Sequence, residues 1–298
     1  LTASRSLRAL SLLNHNLSTA ATVRLRTGRA VFDVDWTSYI TEDRATFSGG
    51  AGGTRVTSAG LVAAATTPRI TYTPATLVAL GLLTEEQRTN GIRNNTMVGA
   101  VAGTPGTLPN NWTLSFNTTT GITRSVVGTG TEDGVSYVDI RLAGTAVGAG
   151  TFDIFFDGAT IIAATVSQAY AFSTYWRLVG GSQTGLTNPV IYGFEYSAAI
   201  AYLGIVTFAT PTFPTSASLI NQKVTGSATL AQATTAYVRP LIKVGITNGA
   251  AIDVTLRIGL PKLELGAFAT SDIATSTVAV TRTADSTTVT SSNFTAIH

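Results

Sequence analysis

Cysteine is absent from the 298 residues. That excludes disulfides, thiolate metal sites and cysteine nucleophiles together. Histidine is nearly absent: His15 sits between Asn14 and Asn16 in a turn-like polar cluster, and His298 is terminal. A Ser-His-Asp hydrolase needs a histidine held between nucleophile and carboxylate, and no Gly-x-Ser-x-Gly elbow is present either. Charge is scarce, with 12% of residues charged and a formal net charge of +3. The basic residues are scattered, and Lys223, Lys243 and Lys262 are the only lysines. No stripe tracks phosphates, so nucleic-acid binding is not expected. The pI near 9.3 reflects a small imbalance between two small numbers. Long apolar runs are also missing. The most apolar stretch, residues 198–209 between Glu195 and Pro211, is shorter than the about 20 residues of a spanning helix. It reads as a buried strand, and no membrane insertion is expected.

Acidic chemistry is equally thin. Glycosidases place two carboxylates across a cleft, about 5 to 10 Å apart. Glu85-Glu86 and Glu132-Asp133 are adjacent pairs, and neighbours on a strand point to opposite faces. Only a pair assembled from distant strands is left open, so the expectation is a protein that is not an enzyme. Asp133, Asp139, Asp153 and Asp157 could in principle surround a calcium ion, but no loop has EF-hand spacing. They read as turn-forming residues, and no metal or cofactor is expected.

Hydrophobic residues make up 44% of the chain, with Thr, Ala, Gly, Ser and Val dominant. Thr and Val suit pleated, half-buried surfaces, and Gly and Pro mark turns, so the chain reads as all-β. Residues 1–45 form an N-terminal β unit, with alternation through Leu7–Leu13, Val23–Thr27 and Val31–Trp36. Two or three strands make no independent core, so this unit must pack on something else. Residues 46–96 read as an extended connector, punctuated by Gly49-Gly50-Ala51-Gly52-Gly53, Pro68 and Pro74. Thr84 and Gln87 have capping-box spacing and predict a single helical turn. Residues 97–285 carry the main domain. Trp112, Leu114 and Phe116 share a core face, and about ten short strands follow, including 161–166, 168–179, 190–197 and 218–226. Such a count at such spacing predicts a sandwich or barrel. Residues 286–298 read as the start of a further segment. The chain opens on Leu1 and ends as another strand begins, which reads as a fragment or a processed product, and no basic-then-apolar signal peptide is visible.

Two segments in this order carry a resemblance. One is Gly81-Leu82-Leu83-Thr84-Glu85-Glu86-Gln87-Arg88-Thr89-Asn90. The other runs over residues 254–285, from an alternating strand through Pro261-Lys262-Leu263-Glu264-Leu265 to Val280-Thr281-Arg282-Thr283-Ala284-Asp285. Together with Phe172-Ser173-Thr174-Tyr175-Trp176-Arg177, they resemble tailed-phage virion proteins of fibres, spikes and tail tips that carry a carbohydrate-module-like β-sandwich. The resemblance implies a jelly-roll sandwich like that of galactose-binding and carbohydrate-binding modules. It also implies assembly in a host cytoplasm and a place in the virion beside other virion proteins. A homo-oligomer is expected from the low charge and from an N-terminal unit that cannot bury its own apolar faces, with a trimer favoured by analogy with fibres. It carries no catalytic residues.

On strand 168–179, Tyr170, Phe172, Thr174, Trp176 and Leu178 share a core face, and Ser173, Tyr175 and Arg177 share the other. Tyr175 and Arg177, joined by Glu195 from the next strand, are the candidate ligand-binding residues: an aromatic ring for stacking on a sugar and charged groups for its hydroxyls. The same face equally suits a subunit contact, since Tyr and Arg are enriched at interfaces. The function expected is therefore a virion structural protein that presents a sandwich to host surface polysaccharide. A purely structural decoration or connector protein is the alternative, and a secreted bacterial carbohydrate-binding adhesin is the second.

Overall fold

The computed structural model describes residues 23–27, 30–34 and 45–289. The expectations placed on Leu7–Leu13, His15, Trp36 and 290–298 lie outside the described residues. Within residues 1–45 an antiparallel hairpin forms from β1 (Val23–Thr27) and β2 (Ala30–Val34), with Val23 opposite Val34. Six short strands follow: β3 (Ala45–Ser48), β4 (Thr54–Val56), β5 (Val62–Ala64), β6 (Ile70–Tyr72), β7 (Ala79–Leu82) and β8 (Arg88–Asn90).

Two five-stranded antiparallel sheets then make a β-sandwich. Its strands are β9 (Thr113–Asn117), β10 (Thr120–Glu132), β11 (Val135–Val147), β12 (Gly150–Phe155), β13 (Ala169–Ser182), β14 (Leu186–Ser197), β15 (Tyr202–Ala209), β16 (Lys223–Thr229), β17 (Thr235–Ile246) and β18 (Ala251–Leu265). The first sheet has the order β10-β11-β18-β13-β16, and the second β15-β14-β17-β12-β9. Two last short strands, β19 (Val280–Arg282) and β20 (Ser286–Val289), return to pair with β8 and β3. Among the described residues no helix is long and apolar enough to cross a membrane.

Alternation builds the core. Ile252, Val254, Leu256 and Ile258 of β18 face Val238, Ile242, Val244 and Ile246 of β17 across the sandwich interior. Trp112, Phe156, Phe172 and Phe208 link ring to ring through it, at centroid distances of 4.8, 5.6 and 6.2 Å. Trp112 is buried as its pattern predicts, and its indole N–H donates to the Asn94 carbonyl. The β10–β11 hairpin turns on Asp133 and Gly134, both at positive φ, between paired Glu132 and Val135. This is the two-residue primed turn that Asp-Gly favours.

Several local expectations are corrected. Residues 46–96 are no extended connector: they form hairpins β4–β5 and β6–β7 and pair with β19 and β20 from the far end of the chain. Residues 83–87 form no helical turn, because Glu85 N donates to Asp285 and Asp285 N donates to the Glu85 carbonyl instead of bonding locally. Residues 161–166 turn rather than run as a strand, touching the sheet at the Ala163–Tyr237 bridge. Residues 219–221 form a short 3-10 turn ahead of β16. The apolar run 198–209 is not a buried strand: β15 lies at a sheet edge, and Ile200, Tyr202 and Ile205 are exposed.

Candidate functional site

The two outer faces of the sandwich differ in kind. On the first sheet the outer face is charged and paired. Glu132 joins Arg177 and Arg257, Asp139 grips Arg257 through two hydrogen bonds of 2.8 Å, and Arg141 meets Asp253 at 2.9 Å. The other part of this face lies under the short strands. There Arg69 bridges Asp285 and Glu85, and Arg282 reaches Glu85 at 2.9 Å. Lys262, fully buried, donates to Glu264 at 2.6 Å and to the carbonyls of Thr270 and Ser271. Burial pushes the Lys262 ammonium down to about 8, against the pull of Glu264.

A bulge creates this arrangement. Between the pairs Ser173–Lys262 and Tyr175–Gly259, β18 advances one residue more than β13, with Leu260 at positive φ ahead of Pro261. The extra residue flips the strand's parity. Even-numbered Ile258 and odd-numbered Leu263 both enter the core, and Lys262 and Glu264 turn outward to the charged layer. The two segments that carry the virion-protein resemblance, 81–90 and 254–285, thus supply most of this buried network. Their shared pattern serves packing.

The three residues expected to bind a ligand do not share an open surface. Tyr175 is 3% exposed, packed on Val62, Leu219 and Leu260, with its hydroxyl donating to Asp272 at 2.7 Å. Burial, with the Asp272 charge beside it, holds the phenol protonated. The outward direction read from alternation is right, but Val62, Leu219 and Leu260 pack on the ring and the Lys223 ammonium lies 5.1 Å from its centroid. Arg177 is held in the ion pair with Glu132. Glu195 lies on the other sheet and is fully buried, accepting from the amides of Ala231 and Gln232 and from the Thr235 hydroxyl. The four aspartates weighed as calcium ligands are dispersed: Asp139 pairs with Arg257, Asp153 with Lys243 and Asp157 with Arg93, and Asp133 makes the hairpin turn. Among the described residues no group of three His, Cys, Asp or Glu could hold a metal ion.

The second sheet's outer face is aromatic, with Arg239 and Lys243 of its central strand β17 set among the rings. Ile191 on β14 and Ile242 on β17 point inward, so their neighbours point out. This sets Tyr192, Phe194 and Tyr196 in a row on β14, with Phe155, Tyr237 and Tyr202 beside them on β12, β17 and β15. Phe194 packs edge-on against Phe155 at 5.6 Å and Tyr202 at 5.3 Å, and Tyr202 meets Tyr196 at 6.0 Å. Tyr202 is 55% exposed. Two cations border the row. Arg239 stacks 3.8 Å above the Phe155 ring, held by the Asp157 carbonyl and the Thr113 hydroxyl, and Lys243 lies 5.9 Å from the Phe194 centroid and 3.6 Å from Asp153. This face lies apart from the residues expected to bind a ligand, although Tyr192-Gly193-Phe194-Glu195-Tyr196 shows it by plain alternation.

No protein-family model matches this chain, and no curated protein matches it. Solved structures do align. The xylan-binding CBM22-1 domain of Paenibacillus barcinonensis Xyn10C is 11% identical, with 61% of this chain and 94% of that one covered at a TM-score of 0.34. The family 11 carbohydrate-binding module from Clostridium thermocellum is 11% identical, with 62% and 98% covered at 0.31. The enzymatically active domain of bacteriophage CBA120 tailspike protein 4 is 15% identical over 53% of this chain at 0.33, and the match spans 20% of that tailspike chain. None of these likenesses transfers a ligand or an activity to this chain.

Proposed function

We propose that this chain is a non-catalytic glycan-binding β-sandwich, and that the aromatic outer face of the second sheet is its binding surface. The observation that carries the reading is the uncovered row Tyr192, Phe194, Tyr196 and Tyr202, bordered by Arg239 and Lys243. Aromatic faces stack on the C–H faces of sugar rings, and phenol and guanidinium groups bond to their hydroxyls. Among the described residues Tyr202 is exposed and Tyr192, Phe194 and Tyr196 are half-buried, which suits a chain running across them. The non-catalytic part is supported by carboxylates of the sandwich, which are bound to arginines, lysine or backbone amides. The setting we propose is a phage fibre, spike or tail tip, where a homo-oligomer, a trimer by analogy, presents several copies to host surface polysaccharide. Multiple weak contacts would then add through effective concentration.

A second reading is favoured by Ile200 and Ile205, exposed beside the same tyrosines. An apolar aromatic patch of this kind also suits a subunit contact in a purely structural connector. One experiment separates the two. Affinity electrophoresis in host-envelope polysaccharides and soluble xylan compares the wild type with Tyr192→Ala, Tyr196→Ala and Tyr202→Ala, and light scattering follows oligomeric state. Loss of retardation in each variant, by about tenfold in affinity per stacking ring, supports glycan binding. Unchanged retardation, or none in the wild type together with dissociation of an oligomer in Tyr202→Ala, supports the connector.

A further inference from the structure

Edge strand β10 carries an arginine on its inner side. Ile122 and Val126 point into the core, and Arg124 between them shares their face, opposite Leu142 of β11. Its guanidinium thus enters the open flank of the sandwich, between edge strands β9 and β10. Residues 106–111 fold over this gap and leave a groove of about 410 Å³, lined by Thr107, Pro109, Asn110, Asn111, Thr113 and Arg124 among others. The size is that of a small-ligand site. Nη1 of Arg124 is buried and has no hydrogen-bond partner. Arg55, Arg88, Arg177 and Arg282 also have one unpartnered buried nitrogen, but each bonds through its others; Arg124 makes no such bond among the described residues. A buried charged donor without a partner is costly, and a partner from outside the chain removes that cost.

We propose that this groove is a second binding site, for the carboxylate of an acidic sugar such as a uronic acid residue. Among the described residues the groove offers one guanidinium and no second cation, which matches a planar, singly charged carboxylate gripped by two N–H groups. Asn110, Asn111 and Thr107 supply donors and acceptors for ring hydroxyls, and Leu108, Pro109 and Leu114 supply an apolar wall. Thr113 accepts from Arg239 and so joins the groove to the margin of the aromatic face, but the inference does not depend on that face.

The test titrates the full chain with glucuronate, glucose and inorganic phosphate, following backbone amide resonances of residues 106–114. Glucuronate is expected to shift them saturably and glucose, at equal concentration, not at all. Arg124→Gln should weaken the response by about tenfold or more, and Arg124→Lys by less, because the ammonium keeps the charge and loses the fork. If Arg124→Gln does not fold, the lysine variant carries the comparison. Tyr202→Ala should leave the glucuronate response intact, which separates this site from the aromatic face. An unchanged response in the Arg124 variants overturns the site. Equal shifts with phosphate overturn the carboxylate assignment. No shift with any probe overturns the proposal and leaves Arg124 as an inward-pointing charge that guards an edge strand from pairing.

Discussion

Tyr175 and Tyr202 are the same side chain in opposite circumstances. Tyr175 is walled in by Val62, Leu219 and Leu260 and tied to Asp272, whereas Tyr202 stands at a sheet edge with half its surface open. Tyr175→Ala should therefore cost about 3 to 5 kcal/mol, the range for emptying a large aromatic site, and leave affinity for polysaccharide unchanged in the fraction that folds. Chemical denaturation and affinity electrophoresis check the two halves. A small stability loss with weakened binding would mean that the ring is accessible. At this scale alternation reads direction well. It places Tyr175 and Arg177 on the outer side of β13, Trp112 in the core, and Tyr192, Phe194 and Tyr196 on one face. It cannot read cover, because what packs on Tyr175 comes from elsewhere in the chain: Val62, Leu219 and Leu260 lie on the ring and Asp272 accepts from its hydroxyl. For the same reason Glu195 could not be placed: the amides that donate to it come from residues 231 and 232, beyond the next two strands.

Turns and bulges decide how the elements meet. The Asp133-Gly134 turn does more than close a hairpin, since Val62 N donates to the Asp133 carbonyl at 2.8 Å and docks β5 on the sandwich. A Cβ added at Gly134, where φ is +79°, would lie 1.9 Å from the Val62 carbonyl oxygen. Gly249, at φ +74° in the β17–β18 turn, has open space around the same position. Gly249→Ala should cost only the left-handed strain, about 1 kcal/mol. Gly134→Ala should cost at least about 2 kcal/mol, because β5 must also move. Equal losses of thermal stability in the two variants would show that the β5 contact contributes nothing. Asp133 reads as a turn former in the sequence and is one, whereas Asp139 and Asp153, read the same way, lie inside β11 and β12; most sandwich strands are legible too. The parity flip at Leu260 is not: a period-2 pattern read straight through residues 252–264 puts Lys262 on the core side, and only the backbone bulge ahead of Pro261 turns it outward. The short strands over residues 45–96 were hidden for a related reason. Three or four residues show no clear period, and β3 and β8 find their partners nearly the whole chain away.

On the scale of the whole molecule, the sandwich has one face committed to packing and one that the other described residues leave uncovered. The buried network is what commits it, because Arg69, Glu85, Ser271, Arg282 and Asp285 come from both ends of the described chain and meet over the first sheet. Glu85 is its hub. Burial works to raise the Glu85 carboxyl, but the bonds from Ser271 and the charges of Arg282 and Arg69 outweigh it and hold the group below its ordinary 4.5. A carboxyl depressed in the folded state binds protons less readily there than in the unfolded chain. Its stabilisation is therefore complete above 4.5 and is lost as pH falls through the lower folded value. Glu85→Gln should destabilise the protein at pH 7 by up to about 3 kcal/mol, since it leaves buried arginines short of a partner. The gap from wild type should then close as pH drops below 4.5 and the native carboxyl takes up its own proton. Thermal melts of both proteins across that range measure it, and a gap that stays constant to pH 3 would mean that Glu85 is not the group through which acid loosens the layer. The aromatic face contains none of this network, so weakening the layer by the Glu85 substitution should leave polysaccharide retardation at neutral pH as it is in the wild type. Retardation lost in step with stability would instead mean that the two faces depend on each other.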